Sequence, residues 1–214
     1  MSVTIYVEGG GVGDLSLTKC RRGFREFFKR LLPGKDFVKV WPCGGRGEAF
    51  RNFTVALKTL KPGDFVILLV DSEGPVEPNV SPWDYLKENK GDQWKRPVTA
   101  DDDQAHLMVQ CMEAWFMADR EAVVKYFDSG LKTDHLPPPV NGDIEGISKA
   151  KIDDSLDKAA RKFNKARGTK KQGYDKVEDG FPLLEVIDPK KVCEASKHAR
   201  RLRETLESKL PDRR

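Results

Sequence analysis

The chain has 214 residues and a mass of 24.2 kDa, with 38% hydrophobic and 34% charged residues; this length can bury a full core, and no apolar run approaches the roughly 18 residues a membrane helix needs. A formal net charge of +4 and a pI near 8.8 permit nucleic-acid binding without requiring it. Cys20, Cys43, Cys111 and Cys193 show no C-x-x-C spacing, which speaks against a disulfide framework and a zinc site, and a start that reads as a strand and not as a secretion signal predicts a cytoplasmic protein.

Residues 4–8 read as a short apolar strand ending in an acid, Glu8, before the glycine-rich turn from Gly9 to Gly13. Over residues 15–32, Leu17, Cys20, Phe24, Phe27, Phe28 and Leu31 recur at helical spacing. A glycine turn feeding a helix N-terminus can cradle phosphate, yet no Lys-Ser/Thr follows these glycines as a P-loop requires. Arg21, Arg22 and Arg25, close to the start of this helix, are candidate phosphate contacts or a solvated basic face. Residues 37–41 alternate as a strand, and residues 47–60 have the pattern of an amphipathic helix.

The central stretch is DFVILLVDSE, residues 64–73, bounded by Pro62-Gly63 and Gly74-Pro75. Apolar on both faces and β-branched at Val66, Ile67 and Val70, it predicts a strand buried in the middle of a parallel sheet. In such sheets ligands bind outside the carboxyl ends of the strands. There this strand presents Asp71 and Glu73, which on an extended segment would share a face. Two hard oxygen donors side by side suit Mg²⁺ or Mn²⁺. Acids that simply open a solvated loop are the alternative, and the second acid-terminated strand, at Glu8, weighs against it. The β-α-β-α-β order predicts an α/β fold with a central, mostly parallel sheet flanked by helices.

Residues 75–103 read as a long irregular passage, with Asp101, Asp102 and Asp103 as solvated loop acids. Residues 106–109 predict a further strand with His106 as an interior residue, leading to a helix that ends at Phe127, with Trp115 and Phe116 in the core. His135 and His198 show no partner, which argues against a histidine-based nuclease. The run Pro137-Pro138-Pro139 divides the chain into an α/β domain, residues 1–136, and a basic, mainly helical extension packed on it, residues 137–214. The extension holds a lysine-rich helix over 149–167, a polar basic stretch over 168–180 and a closing helix over 189–210. Tyr174 and Lys176 in the basic stretch are candidate contacts to a nucleic-acid backbone, or part of a surface loop.

Val7-Glu8-Gly9 and Asp71-Ser72-Glu73 resemble the motifs of a TOPRIM domain, the metal-binding fold of type IA topoisomerases, primases and OLD-type nucleases. Cys20-Arg21-Arg22-Gly23-Phe24, the segment 69–75 and LMVQCMEAWFMAD at 107–119 closely resemble a bacterial domain-of-unknown-function family, DUF4276, itself similar to RloB-like proteins. The resemblance runs over nearly the whole chain, including Tyr174-Asp175-Lys176 and the final helix. It implies a TOPRIM-like fold, dependence on Mg²⁺ or Mn²⁺, and a nuclease role in defence against phage or mobile DNA, often with an ATPase partner encoded nearby.

Residue by residue, Glu8 matches the first TOPRIM glutamate and Asp71 and Glu73 the acidic pair, with Glu73 one methylene longer than the aspartate of the pattern. Glu113 falls where OLD-type enzymes place a further acid, and Lys149 matches a late lysine element at a different spacing. The implied roles are metal ligation by Asp71 and Glu73, a ligand or general-base role for Glu8, completion of the cluster by Glu113, and neutralisation of a transition-state phosphate by Lys149. Three functions stay open: a DNA nuclease, an RNA-cleaving effector, and a non-catalytic subunit of an ATPase-containing complex. DNA is the favoured nucleic acid, no membrane partner is expected, and a homo-oligomer is compatible with the sequence.

Overall fold

The apolar run at the centre of the sequence forms strand β3 (Phe65–Asp71) in the computed structural model, which describes residues 2–11, 13–36, 38–128, 131–166 and 173–213. Val12 of the glycine turn, Phe37 of the predicted second strand, and residues 167–172 of the basic stretch lie outside the described residues. With β1 (Val3–Val7), β2 (Lys39–Pro42) and β4 (Ala105–Met108) it makes a four-stranded sheet in the order β2-β1-β3-β4. Every pairing is parallel, with Val7 beside Leu69 and Asp71 beside Met108.

The double-sided apolarity of β3 has a direct structural cause. Ile67 and Leu69 enter a core shared with α1 (Asp14–Leu31), whereas Val66, Leu68 and Val70 enter one shared with α2 (Arg46–Lys58) and α3 (Pro82–Glu88). A strand covered on both faces must be apolar at successive positions. The architecture is therefore α/β, a parallel sheet between layers of helix, consistent with a TOPRIM-like fold.

The larger core also takes in α4 (Arg120–Phe127), α5 (Lys149–Ala166), α6 (Phe181–Leu184), α7 (Pro189–Ala195) and α8 (Lys197–Lys209). Leu156, Phe181 and Leu202 from the basic extension belong to the same buried cluster as Ile5, Phe24 and Trp115. Gly23 permits this closeness, since a Cβ there would lie 2.6 Å from the Phe181 carbonyl oxygen. Trp115 and Phe116 are buried core residues.

Two expectations need correction. The passage 75–103 is not irregular throughout, because α3 lies within it; Ser81 caps this helix by accepting the Asp84 N–H at 3.1 Å, and Pro82 stands at its first turn. The closing helix is two helices, since Ser196 adopts an extended conformation (φ −139°) and its hydroxyl accepts the Ala199 N–H at 3.0 Å, starting α8 afresh. His198 also has a partner, its Nδ1 lying 2.9 Å from the buried Glu145 carboxylate.

His106 is buried and fully bonded. Arg201 Nη1 donates to its Nδ1 at 3.2 Å, and because a guanidinium only donates, the ring proton sits on Nε2, which donates to the Asp103 carbonyl at 3.0 Å. Asp102 and Asp103 are tied to Arg96 and Lys209. All four cysteines are free thiols, three of them buried and Cys43 partly exposed. Among the described residues no helix is long and apolar enough to cross a membrane.

Candidate functional site

Parallel strands bring their carboxyl ends to one edge of the sheet, and Glu8 and Asp71 emerge there from the two central strands, β1 and β3. The β1–β3 pairing runs on through Glu8, whose N–H donates to the Leu69 carbonyl at 3.0 Å. Glu8 Oε2 in turn accepts the backbone N–H of Asp71 at 3.1 Å. One side-chain oxygen each from Glu8, Asp71 and Glu73 lie within 4.8 Å of one another.

Glu73 reaches this group by a different route from the one its spacing suggests. The strand stops at Asp71, and Glu73 has a positive φ of 64°, so a turn and not an extended segment directs its side chain. Its N–H donates to the Gln110 carbonyl at 2.9 Å, while the Gln110 side-chain oxygen accepts the Lys149 N–H at 3.2 Å. Gln110 thereby sets the start of α5 against the turn, and Lys149 Nζ donates to Glu73 Oε2 at 2.6 Å.

Glu113 lies in a 3₁₀ stretch, Met112–Asp119, that follows β4. The same stretch grips Asp71, whose Oδ1 accepts the Met112 N–H at 2.8 Å. Lys176 links the two acids: its Nζ is 3.3 Å from Asp71 Oδ2 and 3.6 Å from Glu113 Oε1. The Tyr174 hydroxyl donates to Glu113 Oε1 at 3.2 Å. Lys176 thus faces the acids, while Arg21 stands exposed on α1 and Arg22 pairs with Glu185 at 2.9 Å, neither of them brought to the acidic group.

Arg46, the first residue of α2, is a site residue the sequence reading missed. It pairs with Glu8 Oε2 at 3.3 Å and donates to the Asp71 carbonyl. Its Nε also donates to Asp92 Oδ1 at 2.7 Å, and its guanidinium stands 5.2 Å from the centroid of Trp94, which stacks on Phe50. The signal was an arginine directly after Gly44-Gly45 at a strand exit, where a helix N-terminus meets the carboxyl edge of the sheet. Gly44 has φ 71° and exchanges backbone hydrogen bonds with Gly9 at 2.8 and 3.0 Å; a Cβ on it would fall 2.6 Å from the Gly11 carbonyl oxygen.

Burial and mutual repulsion shape the charges. Burial raises the Asp71 carboxyl to about 7, with Lys176 opposing and Glu113 and Glu8 adding to the rise. Glu8 is raised by burial, against the pull of Arg46, Lys176 and the Asp71 N–H. For Lys176 burial works against the charge, but Asp71, Glu113 and Glu8 more than offset it and hold its pKa above the ordinary lysine value. Burial and Glu113 push the Tyr174 phenol well above its usual range, so it stays a donor.

The donor set fits a hard divalent cation. Ligand oxygens around Mg²⁺ at about 2.1 Å lie about 3–4 Å apart, and the three acids each offer an oxygen within 4.8 Å of the others, close to that spacing. Among the groups in direct contact, Glu8, Asp71, Glu73, Glu113 and Asp92 face Arg46, Lys149 and Lys176. Fully ionised, five carboxylates against three cations leave two negative charges, the amount one divalent ion balances. A surface hollow of about 470 Å³ beside Tyr126 and another of about 380 Å³ beside His198 are lined by none of the three clustered acids.

A family model described as a domain of unknown function, DUF4276, matches residues 7–207, and the chain belongs to that family. No curated protein and no solved structure matches it.

Proposed function

We propose that this DUF4276 member is a divalent-metal-dependent nuclease of the TOPRIM type, acting on DNA. The observation that carries the reading is the convergence of Glu8, Asp71 and Glu73 at the carboxyl edge of the sheet, although 63 residues separate the first two. A divalent ion held there would supply Lewis acidity to a phosphoryl oxygen and a water acidic enough to attack phosphorus.

The chain's own residues would divide the remaining work. Asp71 and Glu73 hold the cation. Glu8 serves as third ligand or as base, and burial moves its pKa upward, the direction a base working near neutrality needs. Lys149 and Lys176 set fixed positive charge against the negative charge that grows on the phosphate. Arg46 positions Glu8. A role in defence against phage or mobile DNA, beside an ATPase encoded nearby, follows from the resemblance to RloB-like and OLD-type proteins.

One observation favours a second reading. Asp71 and Glu73 each already contact a lysine ammonium, so the acids have counter-charges without any metal, which is compatible with a non-catalytic subunit of an ATPase-containing complex. Incubating the protein with plasmid DNA and with tRNA, in Mg²⁺, Mn²⁺ or EDTA, separates the readings. The nuclease reading expects metal-dependent loss of plasmid that Asp71→Asn abolishes. Loss of tRNA alone would replace DNA by RNA, and intact substrates in every condition would favour the subunit.

A further inference from the structure

We infer that Lys176 occupies the place of a second metal ion, so that this site takes one divalent cation. The inference rests on the metal-binding reading above and deepens it. Two-metal phosphodiesterase sites hold their ions about 3.5–4 Å apart, joined by a shared carboxylate. Here the carboxylate in the shared position is Asp71. It shares the acidic group with Glu8 and Glu73, and its Oδ2 also meets Lys176 Nζ at 3.3 Å, while the same ammonium lies 3.6 Å from Glu113 Oε1. The ammonium, a compact point charge with three donors, therefore bridges the two acids between which a second ion would sit.

The local chain is built to hold it there. Asp175 accepts the N–H groups of Val177 at 2.8 Å and Glu178 at 3.1 Å, fixing the turn on which Lys176 stands. Tyr174, two residues earlier, is directed to the same Glu113 oxygen, and its hydroxyl packs so closely on Gly180 that a side chain there would strike it. One short segment thus delivers an ammonium and a phenol to one buried carboxylate. Lys149 differs, because it pairs with Glu73 at a 36% exposed rim and has solvent to swing into. An ion entering between Asp71 and Glu113 would have to expel Lys176 from both.

Counting bound Mn²⁺ on the full chain by electron paramagnetic resonance, at slightly alkaline pH, tests this. The wild type should bind one ion, Lys176→Met should bind two, and Lys176→Met combined with Glu113→Gln should return to one. Two ions on the wild type, or one on a folded Lys176→Met, would overturn the inference and leave the metal reading standing. No ion on the wild type would remove both. A wild-type count of two overturns it even where the variant does not fold, and Lys176→Gln, which keeps a polar side chain at the same place, gives the second count.

Discussion

Glu8 Oε2 accepts the Asp71 N–H at 3.1 Å, while Asp71 Oδ1 accepts the Met112 N–H at 2.8 Å. Each acid therefore both supports and is supported by main chain. Asp71→Asn keeps an acceptor for Met112 and removes a charge that burial, Glu113 and Glu8 already disfavour, while Lys176 keeps Glu113 as its counter-charge. Melting should stay level or rise, while Mn²⁺ affinity and cleavage fall by more than the roughly 10–100-fold that losing an outer-shell partner costs. A melting point several degrees lower would mark Asp71 as a structural residue.

Lys149 tests the difference between scaffold and chemistry. Its contact with Glu73 is more than one-third exposed on both sides, and such pairs contribute about 0–1 kcal/mol. Lys149→Met should leave thermal stability nearly unchanged yet lower the cleavage rate by roughly 100-fold or more, the scale of a lost transition-state donor. Equal rates would confine Lys149 to a surface role.

His106 sets an acid limit on the fold. Burial and Arg201 lower its pKa to about 3, against 6.5 for a free histidine, so the unfolded chain takes up the proton first. The stability that neutral His106 provides is complete above pH 6.5 and is lost as the pH falls towards 3. By linkage, about 2 kcal/mol should be gone at pH 5. Melting of His106→Gln should fall less between pH 7 and 5 than that of the wild type; parallel slopes would contradict the assignment.

Gly23→Ala opposes two effects of known sign. Within helix α1 the change should add about 1 kcal/mol by propensity. At this position the new Cβ meets the Phe181 carbonyl oxygen at 2.6 Å, and overpacking against backbone costs about 1–3 kcal/mol. The net expectation is destabilisation, read as a lower urea midpoint, and a higher midpoint would show that α1 and α6 can separate freely.

How far the sequence discloses the site depends on what kind of contact each residue makes. Glu8 and Asp71 stand at the ends of apolar strands, where burial of both faces leaves a plain pattern and the edge of the sheet is a known place for ligands. Glu73 was readable as a neighbour of Asp71, but its left-handed backbone was not, because nothing in Ser72-Glu73-Gly74 distinguishes a turn from a continuing strand. Glu113 and Lys149 came from family resemblance, since Glu113 lies in a 3₁₀ stretch with no amphipathic pattern and Lys149 is the first residue of its helix, set by the turn that precedes it and not by the apolar face. Asp92 and Arg46 were hidden, as their pairing joins a helix start to a loop 46 residues away.

The helices show the same division. Residues 14–31 and 149–166 form helices because their apolar residues recur on one face and bury there. The seven residues of α3 are too few for periodicity to register, although Ser81 and Asp84 already spelled its cap. At Ser196 the apolar recurrence continues through Val192, Ala199 and Leu202, so the break between α7 and α8 leaves no trace in the pattern.

The clustered carboxylates arise at positions 8, 71, 73 and 113, whereas two of the three bases facing them arise at 149 and 176. A chain cut at the proline run would keep all those acids and lose both lysines, along with the helices that close the core. The amino-terminal portion would thus keep Arg46 alone of the three bases against its acids, and the last third is inherited with it as its counter-ion.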